Sequence, residues 1–137
     1  MHTAEFPQGA EGASARQIWR GSYGRLTVGL LLMVTAVAYE ALAVATILPA
    51  TAEELGGLAL YGWAFSAFML ANLFGVVVAG WAIDRAGAAP PFLIGAGLFV
   101  AGLLIAGLAP SMGVLIGARA VQGFGAGFIS SVAYAAI

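Results

Sequence analysis

The sequence contains no cysteine, no lysine and a single histidine, His2, among its 137 residues. The lack of cysteine excludes disulfides, thiolate metal sites and cysteine nucleophiles. One histidine gives no basis for imidazole catalysis or a histidine-ligated metal, so we predict neither a metal nor another cofactor. A net charge of −1 without lysine also removes the basic surface that nucleic acids require, and we predict no nucleic-acid partner.

Charged residues of either sign are scarce: they make up 8% of the chain, whereas 62% of the residues are hydrophobic. A soluble domain has about 25% charged residues, so this chain cannot build a surface that is solvated by water on all sides. Ser130 and Ser131 lack a base to activate them and are assigned to helix packing. The composition therefore argues against an enzyme.

Long uncharged runs are abundant instead. A bilayer core of about 30 Å is crossed by roughly 20 apolar helical residues at 1.5 Å each. The runs predict four transmembrane helices, and therefore an all-α, polytopic membrane helix bundle. Residues 1–25 are predicted to be a cytoplasmic, disordered leader. The predicted helices cover approximately residues 26–50, 59–82, 92–109 and 112–137.

The arginines set the expected orientation, because positive charge close to a membrane span is retained in the cytoplasm. Four of them fall on one side of the predicted helices, whereas the opposite connections carry only Glu53 and Glu54. We therefore expect a multi-pass protein of the plasma (inner) membrane with a cytoplasmic N-terminus. The four arginines are Arg16, Arg20, Arg25 and Arg85.

Two charges lie inside predicted spans, Glu40 in the first and Arg119 in the fourth. A charge at such depth costs about 2.5 to 3.5 kcal/mol on insertion scales and usually faces protein or a wet cavity. Counted from Pro49 and Ser111, the two lie about 13 Å and about 12 Å below the same face. Since desolvation disfavours a charged carboxyl group, Glu40 is a candidate proton carrier. A static ion pair that fixes helix register is the structural alternative.

Small residues recur at intervals of four and predict close helix packing, because lipid gives helices no hydrophobic reason to associate. On the second span they are Ala71, Gly75 and Ala79. On the fourth span they are Gly113 with Gly117 and Gly123 with Gly127.

Three segments together resemble signature stretches of the major facilitator superfamily, in particular its drug:proton antiporter branches. The first is Glu40-Ala-Leu-Ala-Val-Ala-Thr-Ile-Leu-Pro49, similar to the family's first-helix motif. The second, Gly80-Trp-Ala-Ile-Asp84-Arg85-Ala-Gly87, is similar to its cytoplasmic loop motif, although the basic residues that follow in the family are absent here. The third is Arg119-Ala-Val-Gln122-Gly123-Phe-Gly125-Ala126-Gly127, which resembles the fourth-helix motif.

The resemblance implies a proton-coupled secondary transporter of small organic solutes, of the drug-exporter type. Glu40 would exchange the proton and Arg119 would modulate it. The loop motif, with Gly80, Asp84, Arg85 and Gly87, would latch the cytoplasmic side. The implied partners are a small-molecule substrate, protons and the lipid bilayer. Because the family has two six-helix halves, the resemblance also implies an N-terminal fragment whose missing helices lie beyond residue 137.

Two other interpretations remain open at this point. A dimeric carrier of the small multidrug resistance type also has four spans and a glutamate in its first helix. A tetraspan structural or interaction protein would use its glycine-rich helices only for assembly. In that case a change at Glu40 would alter stability without any pH-linked binding of a ligand.

Overall fold

A computed structural model describes residues 22–135, which form four α-helices, one short 3-10 turn and no strand within that range. Each of the four helices is long and apolar enough to cross a membrane. The predicted all-α helix bundle is therefore confirmed, while most of the predicted leader falls on residues 1–21, outside the described residues. The helices are α1 (Ser22–Glu54), α2 (Tyr61–Ala86), α3 (Ala89–Gly107) and α4 (Met112–Ala135), and the 3-10 turn is Leu58–Leu60.

Helix α1 is longer at both ends than the predicted span, and Pro49 lies inside it. Proline removes a backbone hydrogen bond from a helix, but α1 continues past Pro49. The helix ends further along the chain, before two glycines. Gly56 has a φ of 64°, and the Gly57 N–H donates to the Ala52 carbonyl at 2.8 Å. This pattern satisfies the last carbonyls of the helix. Glu53, expected in a loop, is consequently an exposed residue of the last helical turn.

The connection between α2 and α3 is a tight turn at Gly87. This residue has φ 77° and ψ −179°, a combination that side chains disfavour, and its N–H donates to the Ile83 carbonyl at 2.9 Å. Helix α3 then begins at once, with Pro90 and Pro91 in its first turn. The span predicted from residue 92 is thus preceded by a helical turn that contains both prolines, where a missing N–H loses no helical hydrogen bond.

Helix α4 is the centre of the bundle, since 61% of its most apolar window is buried, against 11% for α1 and for α2. Its contact with α2 is backbone against backbone. A Cβ atom added to Gly123 would lie 2.9 Å from Phe68 Cα, and one added to Gly127 would lie 2.8 Å from the Val76 nitrogen. Residue numbers rise together along this contact, so α2 and α4 run in the same direction. The prediction of close packing at Gly123 and Gly127 is confirmed.

A second face of α4 packs against α3 in the same manner. A Cβ atom on Gly125 would lie 2.6 Å from the Gly95 carbonyl oxygen and 2.6 Å from the Phe99 nitrogen. The prediction of close packing at the other glycine pair was wrong. Among the described residues, a Cβ atom on Gly117 would meet nothing within 4 Å, and one on Gly113 would meet only the Ser111 hydroxyl, at 4.0 Å. A four-residue interval of glycines is thus compatible with contact but does not enforce it.

Two apolar clusters lie at different depths of the bundle, and the membrane-embedded charges fall between them. The first cluster joins α1, α2 and α4 near the α1–α2 connection. The second joins α3 and α4, with α1 and α2 side chains packed against it. The first consists of Leu48, Ala52, Ala64, Met112 and Leu115. The second consists of Phe99, Ala126 and Ile129, covered by Met33, Val37 and Phe68.

Candidate functional site

Glu40 of α1 and Arg119 of α4 form a buried ion pair. Their exposed fractions are 6% and 3%, and an Arg119 Nη1 hydrogen donates to Glu40 Oε1. The two residues are 79 positions apart in sequence. They meet because α1 and α4 lie next to each other and carry these side chains at the same depth. The structure thus brings together the two charges that the sequence placed inside the membrane.

Gln122 completes a three-residue network. It lies three residues after Arg119 on α4, hence on the same face of the helix, and only 1% of it is exposed. Its side-chain oxygen accepts from Arg119 Nη1 at 3.0 Å, and its Nε2 donates to Glu40 Oε1 at 3.4 Å. Helix α3 makes room for this amide with a glycine, because a Cβ atom on Gly102 would lie 2.7 Å from the Gln122 nitrogen.

The aromatic ring of Phe68, on α2, covers the guanidinium. The Arg119 Cζ atom lies 4.3 Å from the ring centroid, within the range at which the face of a ring attracts a cation. Arg119 is therefore contacted from three helices: by Glu40 on α1, by Phe68 on α2 and by Gln122 on its own helix.

The polar groups of the pair are incompletely satisfied. Glu40 Oε2 and Arg119 Nε are both buried, and neither has a hydrogen-bond partner among the described residues. A buried polar atom without a partner costs about 1 to 3 kcal/mol. The site therefore has hydrogen-bonding capacity that the described residues do not use.

A cavity of about 690 Å³ lies beside the network, between α1, α3 and α4. One face of α1 lines it from Ala36 to Glu54, and α3 contributes apolar residues from Phe99 to Gly107. Leu55 and Ala109, just after these two helices, complete its apolar wall. The volume suits a small organic molecule, and the walls are mostly apolar. The polar or ionisable side chains on its surface are Tyr39, Glu40, Thr51, Glu54, Arg119 and Gln122.

Comparison with known proteins identifies the family. The sequence profile of the Major Facilitator Superfamily matches residues 28–137, which include all three segments singled out above. The chain belongs to the Major Facilitator Superfamily. It is consequently a multi-pass membrane protein, in agreement with its four apolar helices.

Relatives of this Major Facilitator Superfamily chain carry efflux names. A probable multidrug-efflux transporter of Mycobacterium tuberculosis is 28% identical over 130 residues, which are 93% of this chain and 28% of the relative. Efflux pump dotC of Dothistroma septosporum is 36% identical over 100 residues, 73% of this chain and 17% of the relative. Multidrug resistance protein 3 of Bacillus subtilis is 31% identical over 112 residues, 82% of this chain and 22% of the relative.

The chain therefore spans less than a third of the length of these relatives. No solved structure gives a significant match.

The loop motif of this superfamily chain lies at the end of α2 and in the turn after it. Gly80 is half-buried, whereas Asp84, Arg85 and Gly87 are exposed. The Arg85 Cζ atom lies 4.1 Å from the centroid of the Trp81 ring, one helical turn earlier. These residues stand apart from the Glu40–Arg119 pair, which lies in the spanning part of α1 and α4.

Sequence reasoning missed Phe68 and Gly102. Phe68 has a detectable signal: it lies four residues after Ala64 and seven before Gly75, and both of these are buried on α2. The same helix face must therefore carry Phe68 toward α4. Gly102 gave no such signal, because α3 is apolar on every side and its sequence does not reveal which face meets Gln122.

Proposed function

We propose that this chain supplies the proton-coupling part of a secondary transporter that exports small organic molecules in exchange for protons. One observation carries the proposal: a buried carboxylate and a guanidinium, each with a polar atom left unpaired, lie beside a cavity of ligand size. A transporter, rather than an enzyme, is also what the names of the relatives favour.

The packing suggests how protonation could be converted into movement. Arg119 belongs to the best-packed helix, whereas Glu40 belongs to α1, which contacts α4 far less closely than α2 and α3 do. An ion pair is lost when the carboxyl group takes up a proton. Protonation of Glu40 would therefore loosen α1 from a scaffold that stays intact, and would shift the balance between inward-open and outward-open states.

The composition of the cavity supports small organic molecules as substrates. Its walls are largely aliphatic, with the Tyr39 and Phe99 rings and a few polar groups to orient a ligand. Because the chain spans less than a third of its relatives, we propose that further helices complete the cavity, as in carriers with two facing halves.

The proposed orientation follows from the arginines. With a cytoplasmic N-terminus in the plasma membrane, Arg85 also faces the cytoplasm, as the retention of positive charge requires. The last helical turn of α2, with Asp84 and Arg85, and the Gly87 that follows it are exposed and free to contact another part of the transporter. We therefore propose that this turn, together with Gly80 at the end of α2, serves as the cytoplasmic latch.

The test replaces Glu40 by Gln in the gene product reconstituted into liposomes, with the dye ethidium as the transported probe. Glutamine keeps an oxygen that can accept from Arg119 but cannot carry a proton. An imposed pH gradient should drive ethidium across the membrane of the wild type and not of Glu40→Gln. The infrared band of a protonated carboxyl group should also titrate in the wild type and be missing from the variant.

Glu53→Gln is the matched control, since it removes an exposed glutamate from the same helix and should leave both measurements unchanged. If pH-driven movement survives in Glu40→Gln while thermal stability falls, the pair is a structural tie and the tetraspan alternative gains support. Membership of the Major Facilitator Superfamily already separates this chain from the small multidrug resistance family.

A further inference from the structure

The unexpected member of the site is Phe68, and its place is fixed by the backbone of two helices. Gly123 packs directly on it: a Cβ atom at Gly123 would lie 2.8 Å from the Phe68 carbonyl carbon and 2.9 Å from its Cα. Any side chain larger than hydrogen at position 123 would therefore push α2 away from α4 at the level of Phe68.

The direction of the two helices explains why the ring reaches Arg119. Long side chains on a helix lean toward its N-terminus and cover the preceding turn. Because α2 and α4 run in the same direction, the Phe68 ring leans toward the part of α4 that precedes Gly123. Arg119 lies four residues before Gly123, one turn away on the same face, and its Cζ atom is 4.3 Å from the ring centroid.

Besides Phe68, few side chains are placed to hold the Arg119 guanidinium. Glu40 of α1 is the titratable side chain that contacts it, and Gln122 is its neutral partner. Helix α3 has no ionisable residue, and the ionisable residues of α2 lie near its two ends. Tyr39 and Glu54 line the same cavity, but both are exposed, and Glu54 lies at the far end of α1.

We propose that Phe68 is a positioning residue for proton exchange: its ring holds the Arg119 guanidinium against Glu40, and Gly123 is small so that the ring can lie there. This inference rests on the proposed function, since it concerns the proton of Glu40. A guanidinium that is held in place favours the charged carboxylate. Weakening the attraction of the ring lets the guanidinium move away from the carboxylate, which shifts the pH dependence of proton-driven transport toward higher pH.

The test keeps the shape of the ring and changes its charge distribution. Phenylalanines with increasing numbers of fluorine atoms are incorporated at position 68, because fluorine withdraws the negative charge from the ring face that attracts a cation. The readout is the pH midpoint of proton-driven ethidium transport, the activity that Glu40→Gln removes. The midpoint should rise with each fluorine, by about half a pH unit for the full series.

Two controls separate positioning from packing. The same fluorinated residues at Phe74, which is 66% exposed on α2, should leave the midpoint unchanged. Gly123→Ala should raise the midpoint because it displaces the ring, whereas Gly117→Ala, whose Cβ atom would meet no described atom within 4 Å, should not. If Gly123→Ala does not accumulate in the membrane, the fluorinated series decides alone.

The possible failures are distinct. A flat or falling midpoint across the fluorinated series, with normal proton-driven transport in the wild type, overturns the role of Phe68 and leaves the proposed function standing. A wild type without proton-driven transport that depends on Glu40 overturns the proposed function itself.

Discussion

Two regions of the chain each combine a carboxylate with an arginine, and they handle the charges in opposite ways. In the bundle, Glu40 and Arg119 come from different helices, are almost completely buried and contact each other directly. In the last helical turn of α2, Asp84 and Arg85 are adjacent in sequence and both exposed. Arg85 lies over the Trp81 ring.

The difference shows that depth, and not proximity in sequence, decides what a charge does here. Neighbouring residues on a helix point in different directions, and at an exposed turn water can solvate each charge separately. Inside the bundle both side chains are almost completely buried, so an arginine that cannot lose its proton is stabilised by a neighbouring carboxylate. The buried pair therefore couples two helices, while the exposed residues remain available to other partners.

Removing one member of the buried pair is expected to have the largest effect. Glu40→Ala should lower the free energy of unfolding by about 3 to 5 kcal/mol, because a buried charge loses its partner. Arg119→Ala should cost less, since the remaining carboxyl group can take up a proton whereas a guanidinium cannot give one up. Denaturant titration of the purified protein in detergent measures both values.

The double replacement Glu40→Leu with Arg119→Met is the control for the expected difference between Glu40→Ala and Arg119→Ala. It removes both charges and should recover much of the stability that Glu40→Ala loses. If Arg119→Ala proves more damaging than Glu40→Ala, then the stability of the site depends on the packing of the long arginine side chain and not on the balance of charge.

Replacing a glycine by alanine in each of the two regions should change the stability by an intermediate amount. Gly125→Ala, in the buried region, should destabilise by about 1 to 3 kcal/mol, because its Cβ atom would press on backbone atoms of Gly95 and Phe99 that cannot rotate away. Gly80→Ala, at the end of α2 that leads to the exposed turn, meets nothing within 4 Å among the described residues. It should be neutral or stabilise by up to about 1 kcal/mol through helix propensity. Thermal unfolding of the two variants compares them, and equal losses would contradict the packing derived for α4.

Much of this arrangement was open to prediction because the membrane imposes simple rules. The apolar length of a span and the high cost of a buried charge pointed to four helices and to Glu40 and Arg119 at one depth. The positive φ of Gly87 also agrees with the flexibility expected of a glycine in a tight turn.

The remaining features depend on contacts that no single helix encodes. Gly117 and Gly127 are both glycines of α4 in four-residue pairs, yet only Gly127 lies against another helix, because that depends on the rotation of α4 about its axis. Phe68 likewise gained its position over Arg119 from the parallel packing of α2 and α4. The end of α1 was misplaced since Pro49 is a weaker stop than the glycines that follow it.

The exposed turn should show the smallest effect. Arg85→Ala removes a cation from the face of Trp81, an interaction worth about 0.5 to 1 kcal/mol at an exposed site, so the free energy of unfolding should change by no more than about 1 kcal/mol. Arg85→Lys should retain part of even this contribution, because an ammonium group also binds the ring face. A loss above about 2 kcal/mol in Arg85→Ala, measured in detergent beside Glu40→Ala, would mean that the turn is docked against another part of the protein. The contrast between a coupled, buried pair and two independently solvated charges would then no longer hold.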